Sequence, residues 1–286
     1  MNVRTKPTLP DTPVTITEPK APVVGLHCSG ADHGQWASLW ARMDDKVTTF
    51  APDLIGTASR GHIRHGTTFT LGQEAKSVIS AMEGLGAPAH LVGHSYGGAL
   101  ALHIARARPD LVRSLCLYEP TLFSILQTGQ DADSALHREI VALTTTIRTS
   151  LEEGEDEFGA QVFTDFWGGL GAWQALSRVR RDAMVAWIKK APSDFEALLK
   201  EHDPGSILTS DIPTTIFIGS QTHAQTRRIA ELLSAQSERV QVKCLKGAGH
   251  LGPFTFREKF ELEVLSHIRS VNLGQTIARP PGTGTI

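Results

Sequence analysis

Two periodicities alternate along the chain. Short, nearly unbroken apolar runs occur at "PVVGLH" (22–27), "KVTTFAPDL" (46–54), "AHLVGH" (89–94), "VRSLCLYEP" (112–120), "TTIFIGS" (214–220) and "RVQVKCLKG" (239–247). Their length and composition predict strands. Between them lie stretches of helical spacing: "GQWASLWARMDD" (34–45), "TLGQEAKSVISAMEGLG" (70–86), "GGALALHIARARPD" (97–110), "TRRIAELLSAQS" (226–237) and "REKFELEVLSHIRSV" (257–271). Strands that alternate with helices and lack polar alternation predict a mostly parallel central sheet covered by helices on both faces, an α/β fold.

The rhythm breaks over 120–208. "DSALHREIVALTTTIRTSLEEG" (133–154) and "GAWQALSRVRRDAMVAWIKKA" (171–191) are helical, and no strand is evident. The expected organisation is a core from 21–119 and 209–272, with 120–208 as an inserted helical cap. Residues 1–20, rich in Thr and Pro, and 273–286, punctuated by Pro and Gly, are expected to be flexible or loosely held. "EEGEDE" (152–157) reads as a solvated loop. "FWGGLGAW" (166–173) either lines a pocket or packs the cap.

Composition narrows the function classes. The 286 residues are 41% hydrophobic and 20% charged, as in an ordinary globular protein. A formal net charge of −2 favours neither nucleic acid nor an anionic membrane as partner. Cys28, Cys116 and Cys244 are widely spaced and odd in number, which suggests neither a disulfide framework nor a metal site and fits a reducing cytoplasm. No signal peptide or transmembrane run is evident. The expected partner is a small-molecule substrate, with a homodimer left open, and no cofactor or metal is expected.

"GHSYGG" (93–98) carries the chemistry. The G-x-S-x-G pattern is common by chance, but here it follows an apolar strand and opens a helix. Such a turn forces its central residue into strained backbone geometry, which small neighbours permit. Ser95 would stand at a helix N-terminus with its hydroxyl exposed, and the Tyr96 amide would point at a developing oxyanion. His94 is expected to face away and pack.

Four motifs in order, "HCSGADHGQW", "PDLIGTASRG", "GHSYGG" and "GAGHLGPF", resemble those of the α/β-hydrolase superfamily, specifically its cap-bearing, esterase-like branch. The resemblance covers about 21–120 and 210–270. It implies Ser95 as nucleophile and His250, in the loop after the last strand, as its base. It also implies that the amides of Ser29 and Tyr96 form an oxyanion hole. Cys28 stands where the family usually has glycine, so its φ must be negative for the loop to survive. His27 would brace that loop, and Asp53 would order its own loop by hydrogen bonds.

The acid departs from the family pattern. Its common place, Gly-x-x-Asp after the strand "TTIFIG", reads "GSQT" here, with Thr222 at the Asp position, and Asp211 is at the wrong end of that strand. Some superfamily members, including a subset of haloalkane dehalogenases, keep the acid at the end of the strand after the nucleophile helix. That position is Glu119, which would fix the imidazole tautomer and stabilise imidazolium. The expectation is a Ser95–His250–Glu119 triad cleaving a small to medium, apolar or aryl carboxylic ester, with Cys28, Phe123, Trp167 and Trp173 lining the substrate pocket. The alternatives are a C–C bond hydrolase of the meta-cleavage type and a non-catalytic small-molecule receptor. A hydroxynitrile lyase is disfavoured, because no lysine lies beside His250 or in the cap's opening residues.

Overall fold

A computed structural model describes residues 20–57, 69–127, 131–201, 211–275 and 277. The loose termini expected over 1–20 and 273–286 therefore lie largely outside the described residues. Six strands form one parallel sheet: β1 (Val23–Leu26), β2 (Thr49–Phe50), β3 (Ala89–His94), β4 (Val112–Tyr118), β5 (Thr214–Gly219) and β6 (Val240–Leu245). Their order across the sheet is β2-β1-β3-β4-β5-β6. Every residue of β1, β3 and β5 is buried, which explains their continuous apolar runs.

Side-chain alternation divides the core. Val24, Leu26, Leu91, Leu115, Leu117, Ile216 and Ile218 pack on one face of the sheet. Val23, Val92, Cys116, Tyr118 and Phe217 pack on the other, with Trp36 and Leu39 near α1 (Ala37–Trp40) and with Phe260 and Val264 of the C-terminal helix Arg257–Asn272. The first face is covered by α2 (Leu71–Glu83) and α3 (Tyr96–Ala107). A reciprocal capping box between Thr70 and Gln73 starts α2, and Leu71, Ala75, Val78 and Met82 form its buried stripe.

The helices α4 (Asp131–Glu152), α5 (Asp156–Gly168), α6 (Ala172–Ala175), α7 (Arg178–Trp187) and α8 (Ala191–Leu199) lie between β4 and β5, and no strand occurs there among the described residues. The helix expected over 171–191 is divided between α6 and α7, because Ser177 starts a new helix by accepting from Arg180 N. The "EEGEDE" turn joins α4 to α5. After β5 come α9 (Ala224–Ala235), β6, α10 (Gly252–Thr255) and α11 (Arg257–Asn272).

Two elements are shorter than the periodicity predicts. The strand expected over 46–54 is only Thr49–Phe50, an edge pair bonded to β1. Pro52 has no N–H to extend the ladder, and Asp53 turns away to accept from His33 N at 3.0 Å and the His33 ring at 2.8 Å. The helix expected over 34–45 is a 3₁₀ turn, His33–Trp36, followed by the single turn of α1.

The sheet's chain order reverses about β1, whose neighbours are β2 and β3. In a parallel sheet, the crevice beyond the C-terminal strand ends at such a reversal is where ligands bind. The loops after β1, β3, β4 and β6 all contribute to the site described next.

Candidate active site

Ser95 connects β3 to α3 with φ 53 and ψ −116. Glu119, just after β4, has φ 43, and no other non-glycine residue among the described ones has positive φ. Each such conformation costs on the order of 1–3 kcal/mol and persists only where its surroundings enforce it. At Ser95 the enforcement is visible. A Cβ on Gly93 would come within 2.6 Å of Gly97 O, and one on Gly97 would overlap the Leu26 carbonyl and reach 2.6 Å from His27 O. Both glycines are thus required by backbone-to-backbone contact. The Ser95 amide donates to Tyr118 O at 3.0 Å, and its carbonyl accepts from Gly98 and Ala99 at 2.9 and 3.1 Å.

The structure brings three of the expected residues into one relay. His250 Nε2 is 3.0 Å from Ser95 Oγ, and His250 Nδ1 is 2.7 Å from Glu119 Oε2. Since the carboxylate can only accept, Nδ1 carries the proton and Nε2 is free to accept from the hydroxyl. Glu119 is fully buried. Its other oxygen, Oε1, accepts from Gly219 N at 2.8 Å. Burial pushes this carboxyl up, but the hydrogen bond and charge of His250, the Thr222 hydroxyl and the Gly219 amide outweigh it, and the acid is held below its ordinary range. Thr222, which occupies the family's usual acid position, therefore supports the acid that stands elsewhere.

The loop after β1 is held at both ends of one residue. Cys28 N donates to Gln35 Oε1 at 3.0 Å. His27 Nε2 accepts from Leu54 N at 3.0 Å, so its Nδ1–H donates to Cys28 O at 2.8 Å. Burial drives the His27 pKa down to about 4, which keeps this tautomer neutral. Cys28 has no positive φ, so it can replace glycine without backbone strain. The Cys28–Ser29 peptide is trans, so fixing the Cys28 carbonyl turns the Ser29 N–H to the opposite side. Tyr96 opens α3, in the first turn, where amides lack intrahelical acceptors.

A second bridge was not legible in the sequence. Gln35 uses its oxygen on Cys28, so its amide nitrogen donates to His94 Nδ1 at 3.1 Å. His94 Nε2 then donates to the His250 carbonyl at 2.9 Å. His94 is fully buried and its pKa falls well below normal, chiefly through burial. It packs edge-on to Tyr118 and Phe254, as a packing residue should, but it also ties the Cys28 loop to the His250 loop.

A narrow crevice, partly open to solvent, adjoins Ser95 and Ser29. Phe123 and Trp167 line it, as do Phe163, Trp187 and Phe195. The Trp167 ring also lies 4.1 Å from the His250 ring, centre to centre. Two expected lining residues are not among its walls. Cys28 is buried, and burial pushes its thiol up to about 12. Trp173 is buried beside Arg181, its amide held by Asp165 Oδ1 at 2.8 Å.

Thr121 and Asp194 also line the cavity. Asp194 Oδ2 accepts from Ser29 Oγ at 2.7 Å, and Asp194 Oδ1 is 2.8 Å from Lys190 Nζ. Lys190 also reaches Glu74 Oε2 at 3.3 Å, and Tyr96 OH donates to the same oxygen at 3.2 Å. Burial raises the carboxyls of both Glu74 and Asp194, against the pull of Lys190. Among the described residues no group of His, Cys, Asp and Glu is placed to hold a metal ion. None of their helices is long and apolar enough to cross a membrane.

A parallel sheet with a serine on a strained strand–helix turn, a histidine after the last strand and a buried acid defines a class, the α/β hydrolases. The chain belongs to the alpha/beta hydrolase family, whose sequence profile matches residues 23–261. It is 32% identical over 109 residues to the lipase LipV of Mycobacterium tuberculosis, which is 36% of this chain and 40% of that protein. It is 33% identical over 92 residues to a pimeloyl-[acyl-carrier protein] methyl ester esterase of Neisseria meningitidis, covering 32% of this chain and 33% of the esterase. These matches span well under half the length of either relative. A hydrolase from Pseudomonas aeruginosa superposes with a TM-score of 0.70 at 17% identity, over 87% of this chain and 90% of that one, which shows a common fold.

Proposed function

We propose that the protein is a serine hydrolase that cleaves a carboxylic ester through an acyl-enzyme. The observation that carries this is the relay from Ser95 Oγ through His250 to Glu119, with spacings of 3.0 and 2.7 Å. Ser95 Oγ attacks the ester carbonyl while His250 Nε2 takes its proton. Glu119 keeps the second imidazole nitrogen protonated and balances the imidazolium. The amides of Ser29 and Tyr96 bind the oxyanion, with the α3 N-terminus adding favourable potential. The C–O bond then breaks, and His250 returns the proton to the leaving alcohol. Water, deprotonated by His250, splits the acyl-enzyme and regenerates Ser95.

In this reading the helices between β4 and β5 act as a cap, placing Trp167, Phe163 and Phe195 over the nucleophile. The substrate is a small molecule that fits an aromatic cavity, and similarity to a lipase and a methyl ester esterase supports an ester. The free thiols Cys28, Cys116 and Cys244 suit a cytoplasmic location. Every member of the site comes from one chain, so assembly is not needed to complete it.

A panel of p-nitrophenyl esters assayed beside 2-hydroxy-6-oxodienoates tests the reading. Hydrolysis of small or medium esters, lost in Ser95→Ala, is the expected result. Turnover of the dienoates alone would replace it with C–C bond hydrolysis.

A further inference from the structure

One buried charge cluster has no part in the relay. Lys190, just before α8, and Asp194, in its first turn, come from the inserted helices, and Glu74 comes from α2. All three side chains are buried. Lys190 Nζ is 2.8 Å from Asp194 Oδ1 and 3.3 Å from Glu74 Oε2. It also stands 4.9 Å from the centre of the Tyr96 ring and 5.3 Å from that of Phe69, where aromatic faces favour a cation. The core leaves a channel for its stem, since a Cβ on Gly56 would overlap Lys190 Cδ. A buried ion cluster is often no more stabilising than apolar side chains of similar volume, so stability alone is a weak reason for one.

Each carboxylate also accepts one hydroxyl. Asp194 Oδ2 accepts from Ser29 Oγ at 2.7 Å, and Glu74 Oε2 accepts from Tyr96 OH at 3.2 Å. Glu74 Oε1 takes the Ile55 amide at 2.8 Å, which anchors the cluster in the core. Ser29 and Tyr96 are the two residues whose amides would bind the oxyanion. They stand on separate elements, the loop after β1 and the start of α3. The cluster ties both, by charge-assisted hydrogen bonds, to a single cation.

We propose that Lys190, Asp194 and Glu74 are positioning residues that hold the two oxyanion amides in register, Ser29 through Asp194 and Tyr96 through Glu74. This rests on the ester-cleaving reading of the site, in which those amides bind the oxyanion. Because Lys190 and Asp194 come from the inserted helices, the hole is complete only while those helices are seated on the core. An amide that drifts from the oxyanion loses transition-state stabilisation and leaves substrate binding nearly unchanged, so the loss falls on kcat.

Hydroxyl deletions test this, because they spare the backbone amides. Ser29→Ala and Tyr96→Phe should each lower kcat for p-nitrophenyl butyrate about tenfold, with KM within about twofold. Together they should lower it about a hundredfold, because the tethers are separate. Asp194→Ala should lower kcat at least about tenfold, and adding Ser29→Ala should change it no further, because both act through one bond. Lys190→Met releases both carboxylates, and the folded variant should lose about a hundredfold. Where thermal unfolding shows that it does not fold, the hydroxyl variants decide. A kcat within about twofold of wild type in either hydroxyl variant, or a loss confined to KM, overturns the proposal. So does an equal effect of Ser29→Ala with and without Asp194. The rate of fluorophosphonate labelling of Ser95, which draws on the same amides, separates the two claims. Labelling slowed in the same ratios, with no ester cleaved by the wild type, would uphold the positioning and reject ester hydrolysis. No labelling of wild-type Ser95 would overturn both.

Discussion

Replacing Glu119 by Gln is a sharp perturbation, because the structure dictates how the new side chain must sit. Glu119 accepts two N–H groups on separate oxygens, Gly219 N at 2.8 Å and His250 Nδ1 at 2.7 Å. Glutamine has one oxygen for two donors. The Gly219 amide belongs to β5 and cannot rotate, whereas the imidazole can change tautomer. The glutamine oxygen therefore stays with Gly219, and its NH₂ faces His250 Nδ1. That nitrogen must then accept, which moves the imidazole proton to Nε2 and leaves Ser95 without a base. The negative charge that balances imidazolium is lost as well. In serine hydrolases generally such a change costs about 10⁴ in kcat, or roughly 5.5 kcal/mol of transition-state stabilisation. We expect a fall of 10³–10⁴-fold in kcat by this argument, with KM little changed. Thr222 offers an internal control, since its hydroxyl already bonds the Glu119 carboxylate. Adding Thr222→Asp to Glu119→Gln returns a carboxylate to the same neighbourhood and should recover about tenfold, the equivalent of 1.4 kcal/mol. The assay is steady-state ester hydrolysis, with thermal unfolding to show that each variant is folded. Activity of Glu119→Gln within tenfold of the parent would refute the reasoning.

Three further outcomes follow from the packing and charge. Gln35→Met removes the bridge between Cys28 N and His94; stranding those two polar groups should lower stability by roughly 1–3 kcal/mol, and kcat/KM should fall about 10- to 100-fold because the loops carrying Ser29 and His250 lose their tie; unchanged kinetics would show that the bridge does not position the loops. Gly97→Ala forces a Cβ into the backbone of Leu26 and His27, and should lower stability by at least about 3 kcal/mol in urea unfolding, with a wild-type midpoint as the contrary result. Burial holds His27 and His90 down to about 4, His267 to about 3 and His94 well below normal, so each stays neutral in the folded chain. The unfolded chain takes up those protons first as the pH falls below about 6.5, so stability should drop by roughly 1.4 kcal/mol per pH unit for each histidine, until the folded groups protonate near 4 and 3. The raised carboxyls of Glu74 and Asp194 and the raised imidazole of His33 oppose this trend, whereas the lowered His137 and His223 add to it. A urea midpoint flat from pH 7 to about 4.5 would contradict the assignment of neutral histidines.

Much of the fold is legible because its strands are buried on both faces and therefore write continuous apolar runs. The exceptions have local causes: Pro52 cuts the edge strand, and Ser177 restarts a helix that periodicity alone carries through. The placement of Ser95, His250 and Glu119 follows from motif order and from the missing Gly-x-x-Asp. What sequence could not reveal depends on long-range contact. Gln35 and His94 lie 59 positions apart, and nothing local marks a glutamine as a bridge. Lys190 and Asp194 stand at i,i+4 spacing, as an exposed pair does, yet both are buried, with Glu74 as a second carboxylate on Lys190. The inward face of the inserted helices was equally hidden. Phe195 lines the cavity and Trp173 does not, and which aromatic of these helices faces Ser95 is set by tertiary packing that the local sequence does not show.

The central claim is that Ser95 is a nucleophile activated by His250 and Glu119, and covalent trapping addresses it directly. Incubation of the intact protein with a fluorophosphonate, followed by peptide mass spectrometry, should find one adduct, on Ser95, that is absent in Ser95→Ala and forms far more slowly in His250→Ala. No adduct on Ser95 in the folded wild type, or a rate unaffected by His250→Ala, would contradict the account.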